Sequence, residues 1–279
     1  MNALQRIAGG AATSFAVLML AVPAYADGMR GSIKDKPAEA RRCTLSANVA
    51  LTSDYVFRGF SQTAEGPAIQ GGFDATCGIF YAGLWGSSLD YDGLAGMELD
   101  VYTGVKGTTG RLAWDLGVIY YSYPNNSANF YGQPNPNYVE LKVGASTEIW
   151  KGGTVGVTAF WSPDYTFETG SVVTVEGAFA QTLPAMGRFT PTFSALLGYQ
   201  KGFDNDYVAF NTANGDDHYL YWNAGVAFAF DKNWSVDFRY WDTNISNSGG
   251  FCSNGVDLTG GKNILQCDER FVATLKFTY

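Results

Sequence analysis

Trp234-Ser235-Val236-Asp237-Phe238-Arg239-Tyr240 sets large apolar and aromatic side chains on even positions and Ser, Asp and Arg on odd ones. A period of two puts each set on its own face of a β-strand. The polar face carries two ionised groups, Asp237 and Arg239, so it cannot pack into a dry core. One face wants grease and the other wants water. Either a secreted sandwich or a membrane barrel meets that demand, so the rest of the chain must decide.

The same alternation runs from end to end. Leu45, Ala47, Val49 and Leu51 alternate with Ser46, Asn48 and Ala50, and Tyr55 and Phe57 continue the apolar face. Ile69 and Phe73 oppose Gln70 and Asp74; Leu99 and Val101 oppose Glu98 and Asp100; Trp114 and Leu116 flank Asp115. Val139, Leu141 and Val143 oppose Glu140 and Lys142, and Val173 and Val175 oppose Thr174 and Glu176. The chain ends with Phe271, Ala273, Leu275, Phe277 and Tyr279 against Thr274, Lys276 and Thr278. With further strands near 79–88, 154–159, 189–195 and 222–228, the pattern predicts about twelve.

Connector length alternates too. Short turns fall near Gly78, 107–110, 151–153, 184–188 and 231–233, and long stretches fall between them. Short turns at one rim and long loops at the other are the membrane-barrel pattern. Trp85, Tyr120, Tyr121, Tyr123, Trp161, Tyr165, Tyr219, Tyr221, Tyr240 and Trp241 sit near the long loops, and Trp150, Trp234 and Tyr279 near the short turns. Aromatic girdles at two lipid–water interfaces would account for them. The fold expected is all-β: a closed antiparallel transmembrane β-barrel, with short periplasmic turns, long extracellular loops and both termini in the periplasm. Its lumen is expected to be wet and lined by Asp74, Glu98, Asp100, Asp115, Glu140, Lys142, Glu176, Asp237, Arg239 and Lys276.

Export signals agree. Arg6, the apolar run Ala11 to Val22 and the small-x-small site Ala24-Tyr25-Ala26 read as a cleaved signal peptide over 1–26. A polar, aperiodic tail follows over 27–42, and the barrel over 43–279. That tail holds Arg30, Lys34, Lys36, Arg41 and Arg42 against Asp27, Asp35 and Glu39, so a basic peg docked into an acidic lumen is one expectation for it. Cys43, Cys77, Cys252 and Cys267 in an exported chain point to disulfides. Cys43 opens the first strand and Cys77 closes the second, which antiparallel pairing brings together; Cys252 and Cys267 share one loop. The expected pairs are therefore Cys43–Cys77 and Cys252–Cys267.

The segment Ser46-Ala47-Asn48-Val49-Ala50-Leu51-Thr52-Ser53-Asp54-Tyr55-Val56-Phe57-Arg58-Gly59-Phe60-Ser61-Gln62-Thr63 resembles the opening of the TorF family, proteobacterial outer-membrane barrels named as porins. Pro67 to Asp74, Phe80 to Ser88 and Gly117 to Tyr121 extend that resemblance. It implies an outer-membrane location and carries no binding-site motif with it.

Composition narrows the function. Thirty-four Gly, 17 Tyr, 19 Phe and 7 Trp stand against a single histidine, His218. A Ser–His or Asp–His catalytic set needs that histidine, and its neighbours Asp216 and Asp217 are ordinary company in an acidic loop. No catalytic, cofactor or metal site is expected, and no basic stripe suits nucleic acid. Taking Arg6 from the 18 Lys+Arg leaves 17 bases against 26 acids. The long loops hold Glu65, Asp90, Asp92, Asp164, Glu168, Asp204, Asp206, Asp216, Asp217, Asp242, Asp257 and Asp268 against Arg58, Lys201 and Lys262. An acidic rim attracts cations. The function expected is a porin-like channel for passive diffusion of small polar solutes or ions, with a mild cation preference. The alternative is a non-conducting barrel with a structural, adhesive or surface-binding role. Expected partners are membrane lipid and lipopolysaccharide, the barrel-assembly machinery through the C-terminal aromatic strand, and the solutes or cations; a homo-oligomer is left open.

Overall fold

The computed structural model describes residues 43–90, 95–128, 134–205, 207, 216–245 and 267–279. The signal segment 1–26 and the tail 27–42 lie outside those residues, as do Asp92, Asp206, Cys252, Asp257 and Lys262.

Twelve strands form one closed antiparallel barrel. In chain order they are β1 Thr44–Thr52, β4 Ala68–Cys77, β5 Phe80–Ser88, β6 Met97–Thr109, β7 Leu112–Ser122, β8 Tyr138–Trp150, β9 Gly153–Ser162, β10 Val172–Thr182, β11 Thr190–Gly202, β12 His218–Phe230, β13 Trp234–Thr243 and β14 Arg270–Thr278. Two short strands, β2 Val56–Phe57 and β3 Phe60–Ser61, pair apart from the wall. β1 pairs with both β4 and β14, the latter through Asn48↔Thr278 to Thr52↔Thr274, so no barrel edge is left unpaired. At one rim the links are tight. Positive φ angles at Gly78, Gly110, Gly152, Asp231 and Lys232 make those turns.

The outward face is apolar. Leu45 is 80% exposed and Phe73 68%, and Val49, Ile69, Phe80, Val101, Leu141, Val143, Leu197 and Phe238 follow on neighbouring strands. Such a surface is unstable in water and suited to lipid. Strands of nine to thirteen residues are long enough to cross the hydrocarbon layer when tilted. The chain is a transmembrane β-barrel.

The aromatic girdle is thinner than the sequence suggests. Tyr120, Trp161, Trp150, Trp234 and Tyr279 do face outward near the rims. Trp85, Tyr121, Tyr123, Tyr165, Tyr219, Tyr221 and Trp241 are instead buried inside. Tyr55 and Phe57 also leave the lipid face, with Tyr55 buried and its ring edge-on to Trp85 at 5.3 Å. Glycines on the wall make room for such rings. Gly198 is the cross-strand partner of Tyr221, and a Cβ there would sit 2.1 Å from that ring.

Cys43 and Cys77 are disulfide-bonded at the short-turn rim, with Cα atoms 4.4 Å apart. Cys267 is a buried disulfide cysteine at the opposite rim.

Candidate functional site

The connector between β1 and β4 does not lie on the rim. Residues 53–67 fold into the barrel, and β2 and β3 form a hairpin inside it. Asp54 organises the turn inward: its Oδ1 accepts hydrogen bonds from Ser61 Oγ at 2.7 Å and Thr63 Oγ1 at 2.9 Å. Its Oδ2 takes Arg270 Nη1 at 3.1 Å, which ties the insert to β14. The hairpin turns on two residues, Arg58 and Gly59, with φ of 49° and 88°. Positive φ at both central residues is what a type I′ hairpin requires. Gly59 is also cramped, since a Cβ there would lie 2.3 Å from Thr243 Cγ2.

The turn puts Arg58 at the tip of the insert. Its guanidinium, 2% exposed, makes a two-pronged pair with Glu140: Nη1 to Oε1 at 2.7 Å and Nη2 to Oε2 at 2.8 Å. The rings of Phe57 and Phe160 lie 4.8 and 4.9 Å from its carbon, and Gln200 Oε1 is 3.4 Å from Nη1. Burial alone would pull the guanidinium's pKa down, but Glu140 overrides it and holds Arg58 well above its ordinary value. Arg58 was expected as a base on the outer rim. It lies buried in the lumen because the 53–67 connector turns inward and Glu140 waits there.

Around this peg the lumen closes. Tyr55 Oη donates to Glu98 at 3.0 Å, Tyr121 Oη to Glu140 at 3.0 Å, and Tyr221 Oη to Glu176 at 2.5 Å. Gln200 accepts from Thr174 and donates to Tyr207, both at 3.0 Å. Tyr121 stacks on Tyr138 at 4.4 Å, and Tyr165 abuts Tyr138 at 4.7 Å. Tyr219 Oη reaches the carbonyl of Arg58 at 3.1 Å. Glu98, Asp100, Glu140 and Glu176, expected to line a wet lumen, are each 2% exposed or less. The insert and the tyrosines shield them from water. Both carboxylate oxygens of Asp100 are without a hydrogen-bond partner.

The half of the lumen nearer the short turns is more open. Lys142 pairs with Asp115 at 2.8 Å, and Tyr81 Oη donates to the same carboxylate at 2.7 Å. Tyr102 Oη donates to Asp74 at 2.5 Å. Arg239 bridges Asp237 at 2.9 Å and Asn223 at 2.6 Å. Lys276 is buried, within electrostatic reach of Asp74. The polar face expected from the sequence is therefore inward, divided between a stoppered half and a charged vestibule.

Rim acids are partly spent on local structure. Asp204 accepts the Ser171 amide at 2.8 Å, Asp164 the Gly170 amide at 3.0 Å, and Asp268 pairs with Arg270 at 2.8 Å. Asp217 binds Lys201 and accepts from His218, contacts that hold its carboxyl below the usual range. His218 is half exposed, and its ring lies 5.5 Å from that of Tyr199.

The sequence model of the Gcw_chp family, described as a bacterial protein of unknown function, matches residues 37–271. No curated protein matches the sequence. Among solved structures, the chain is similar to a KdgM porin at 10% identity, with a TM-score of 0.51 over 84% of this chain and 99% of that one. A KdgM porin in complex with disordered oligogalacturonate gives 9% identity and a TM-score of 0.50, over 84% and 98%. At these identities the likeness is one of fold alone.

Proposed function

The chain belongs to the Gcw_chp family, and we propose that it is an outer-membrane, porin-like channel for small polar solutes or ions, held closed by the 53–67 insert and mildly cation-preferring. The observation that carries this reading is how the stopper is held. A barrel filled for good would be served as well by apolar side chains, since replacing a buried ion pair with packed hydrophobes is often neutral or stabilising. This chain instead holds the insert by Arg58 on Glu140 and Arg270 on Asp54, through side chains that can exchange partners. The insert carries left-handed backbone at Arg58, Ala64 and Glu65, a conformation that surrounding contacts must sustain. Behind it lies a charged vestibule that would hold water once the stopper moved.

The apolar belt, the Cys43–Cys77 disulfide, the TorF resemblance and the KdgM-like fold all support an outer-membrane location. Lipid and lipopolysaccharide then surround the barrel, and Phe277-Thr278-Tyr279 is the end offered to the assembly machinery. Oligogalacturonate, a polyanion, would meet Glu98, Asp100, Glu140 and Glu176, so the neighbour's ligand is not carried over. The packed lumen favours a second reading, a non-conducting barrel with a structural or surface-binding role. Arg58→Ala in a planar bilayer separates the two. A KCl gradient at low salt should give a reversal potential favouring K⁺, and the preference should weaken as salt screens the carboxylates. Anion preference would reject the cation reading, and silence would favour the structural one.

A further inference from the structure

The seat that Arg58 occupies is a complete recognition site for a guanidinium group. Glu140 presents both carboxylate oxygens to the fork, the geometry that binds arginine bidentately. Phe57 and Phe160 offer ring faces, the arrangement that attracts a desolvated cation. Phe57 arrives with the insert, but Phe160, Glu140, Gln200 and Tyr121 belong to the wall and remain when the insert leaves.

Beside the seat is an acidic side chain that the insert leaves without a hydrogen bond. Asp100 is fully buried, neither of its carboxylate oxygens has a hydrogen-bond partner, and its electrostatic neighbours include Glu98 and Glu140. Its cross-strand partners are Trp85 and Tyr121. Ionising a carboxyl group there without a counter-charge is costly, and a cation arriving beside it would offset that cost.

We propose that this barrel binds organic cations bearing a guanidinium group, and that Arg58 is a built-in surrogate for them, so that such a solute opens the lumen by taking Arg58's place on Glu140 with Asp100 as the second anionic contact. The proposal rests on the channel reading above and names the solute class for it.

The test uses the full-length barrel carrying Arg58→Ala, which leaves the seat empty, with methylguanidinium as probe. Tetramethylammonium is the control, because it has equal charge but no N–H to donate. In planar bilayers, methylguanidinium should block the K⁺ current at concentrations at least tenfold lower than tetramethylammonium. Adding Glu140→Gln should abolish that difference. Equal block by the two cations, or block that survives Glu140→Gln, would overturn the proposal. If Arg58→Ala carries no current, the channel reading fails by itself. Calorimetric titration of methylguanidinium into the detergent-purified variant then still reads the seat: selective binding keeps it, and no binding removes it. Arg58→Lys retains the charge without the fork and serves if Arg58→Ala does not fold. In that variant methylguanidinium should likewise compete better than tetramethylammonium, and equal competition would overturn the seat.

Discussion

Gly59 and Arg58 carry the closed state at the scale of single residues. At φ +88°, with Thr243 and Tyr221 against it, Gly59 has room for nothing larger than hydrogen. Gly59→Ala should loosen the hairpin by about 1–3 kcal/mol, the range for a strained left-handed residue. The check is limited proteolysis of the folded barrel, which should find the insert more open to cleavage while the wall stays intact. The Arg58–Glu140 pair has a sharper signature. Removing one partner of a buried pair typically costs about 3–5 kcal/mol, because it strands the other charge. Glu140→Leu and Arg58→Met should each lower the urea midpoint, and the Arg58→Met/Glu140→Leu double variant should lose much less than their sum. Additive losses in that cycle would mean the two groups do not act together. Arg58 also shows why the site was hard to read. In sequence it is a lone base beside Gly59, and only the barrel's closure brings Glu140, 82 residues away, to meet it.

At the scale of elements, the strands were legible and the insert was not. Alternation in 234–240 or 97–106 has one solution in a closed barrel, since a slip by one residue would swap the lipid and lumen faces. Tyr55 and Phe57 continue β1's alternation by coincidence: a packed lumen rewards aromatic rings as much as lipid does. For the same reason most of the inward tyrosines and tryptophans read in sequence as girdle residues. A usable signal was present, because Val56-Phe57 and Phe60-Ser61 flank a two-residue turn ending in Gly. The disulfide belongs to this scale. Cys43–Cys77 closes the segment containing the insert across a separation of 34 residues. Chain entropy would credit it with about 3–4 kcal/mol, but β1 and β4 are already locked by register pairs from Thr44↔Thr76 to Thr52↔Ala68. Cys43→Ser/Cys77→Ser should therefore lower the urea midpoint yet leave the lumen closed, because the holding contacts are on Arg58 and Asp54. A rise in basal conductance on reduction would show that the bridge, and not the ion pairs, keeps the insert seated.

As a whole molecule, the chain is a lipid-facing cylinder with a stoppered long-loop half and a charged short-turn half. Its period of two, turn spacing and alternating connector lengths state the cylinder directly. Whether the cylinder is open depends on one fifteen-residue path, 53–67, whose direction is set by tertiary contacts alone. The barrel should run differently in SDS gels boiled and unboiled, and a chain purified without detergent as a soluble protein would contradict the membrane assignment. Closure of the lumen by the insert can be read from single-channel conductance of the wild-type barrel beside a variant in which residues 55–62 are replaced by a short Gly-Ser link. The wild type should be closed apart from rare openings, and the variant should give large, steady current steps. A variant as silent as the wild type, or a wild type that conducts equally well with its insert in place, would contradict it.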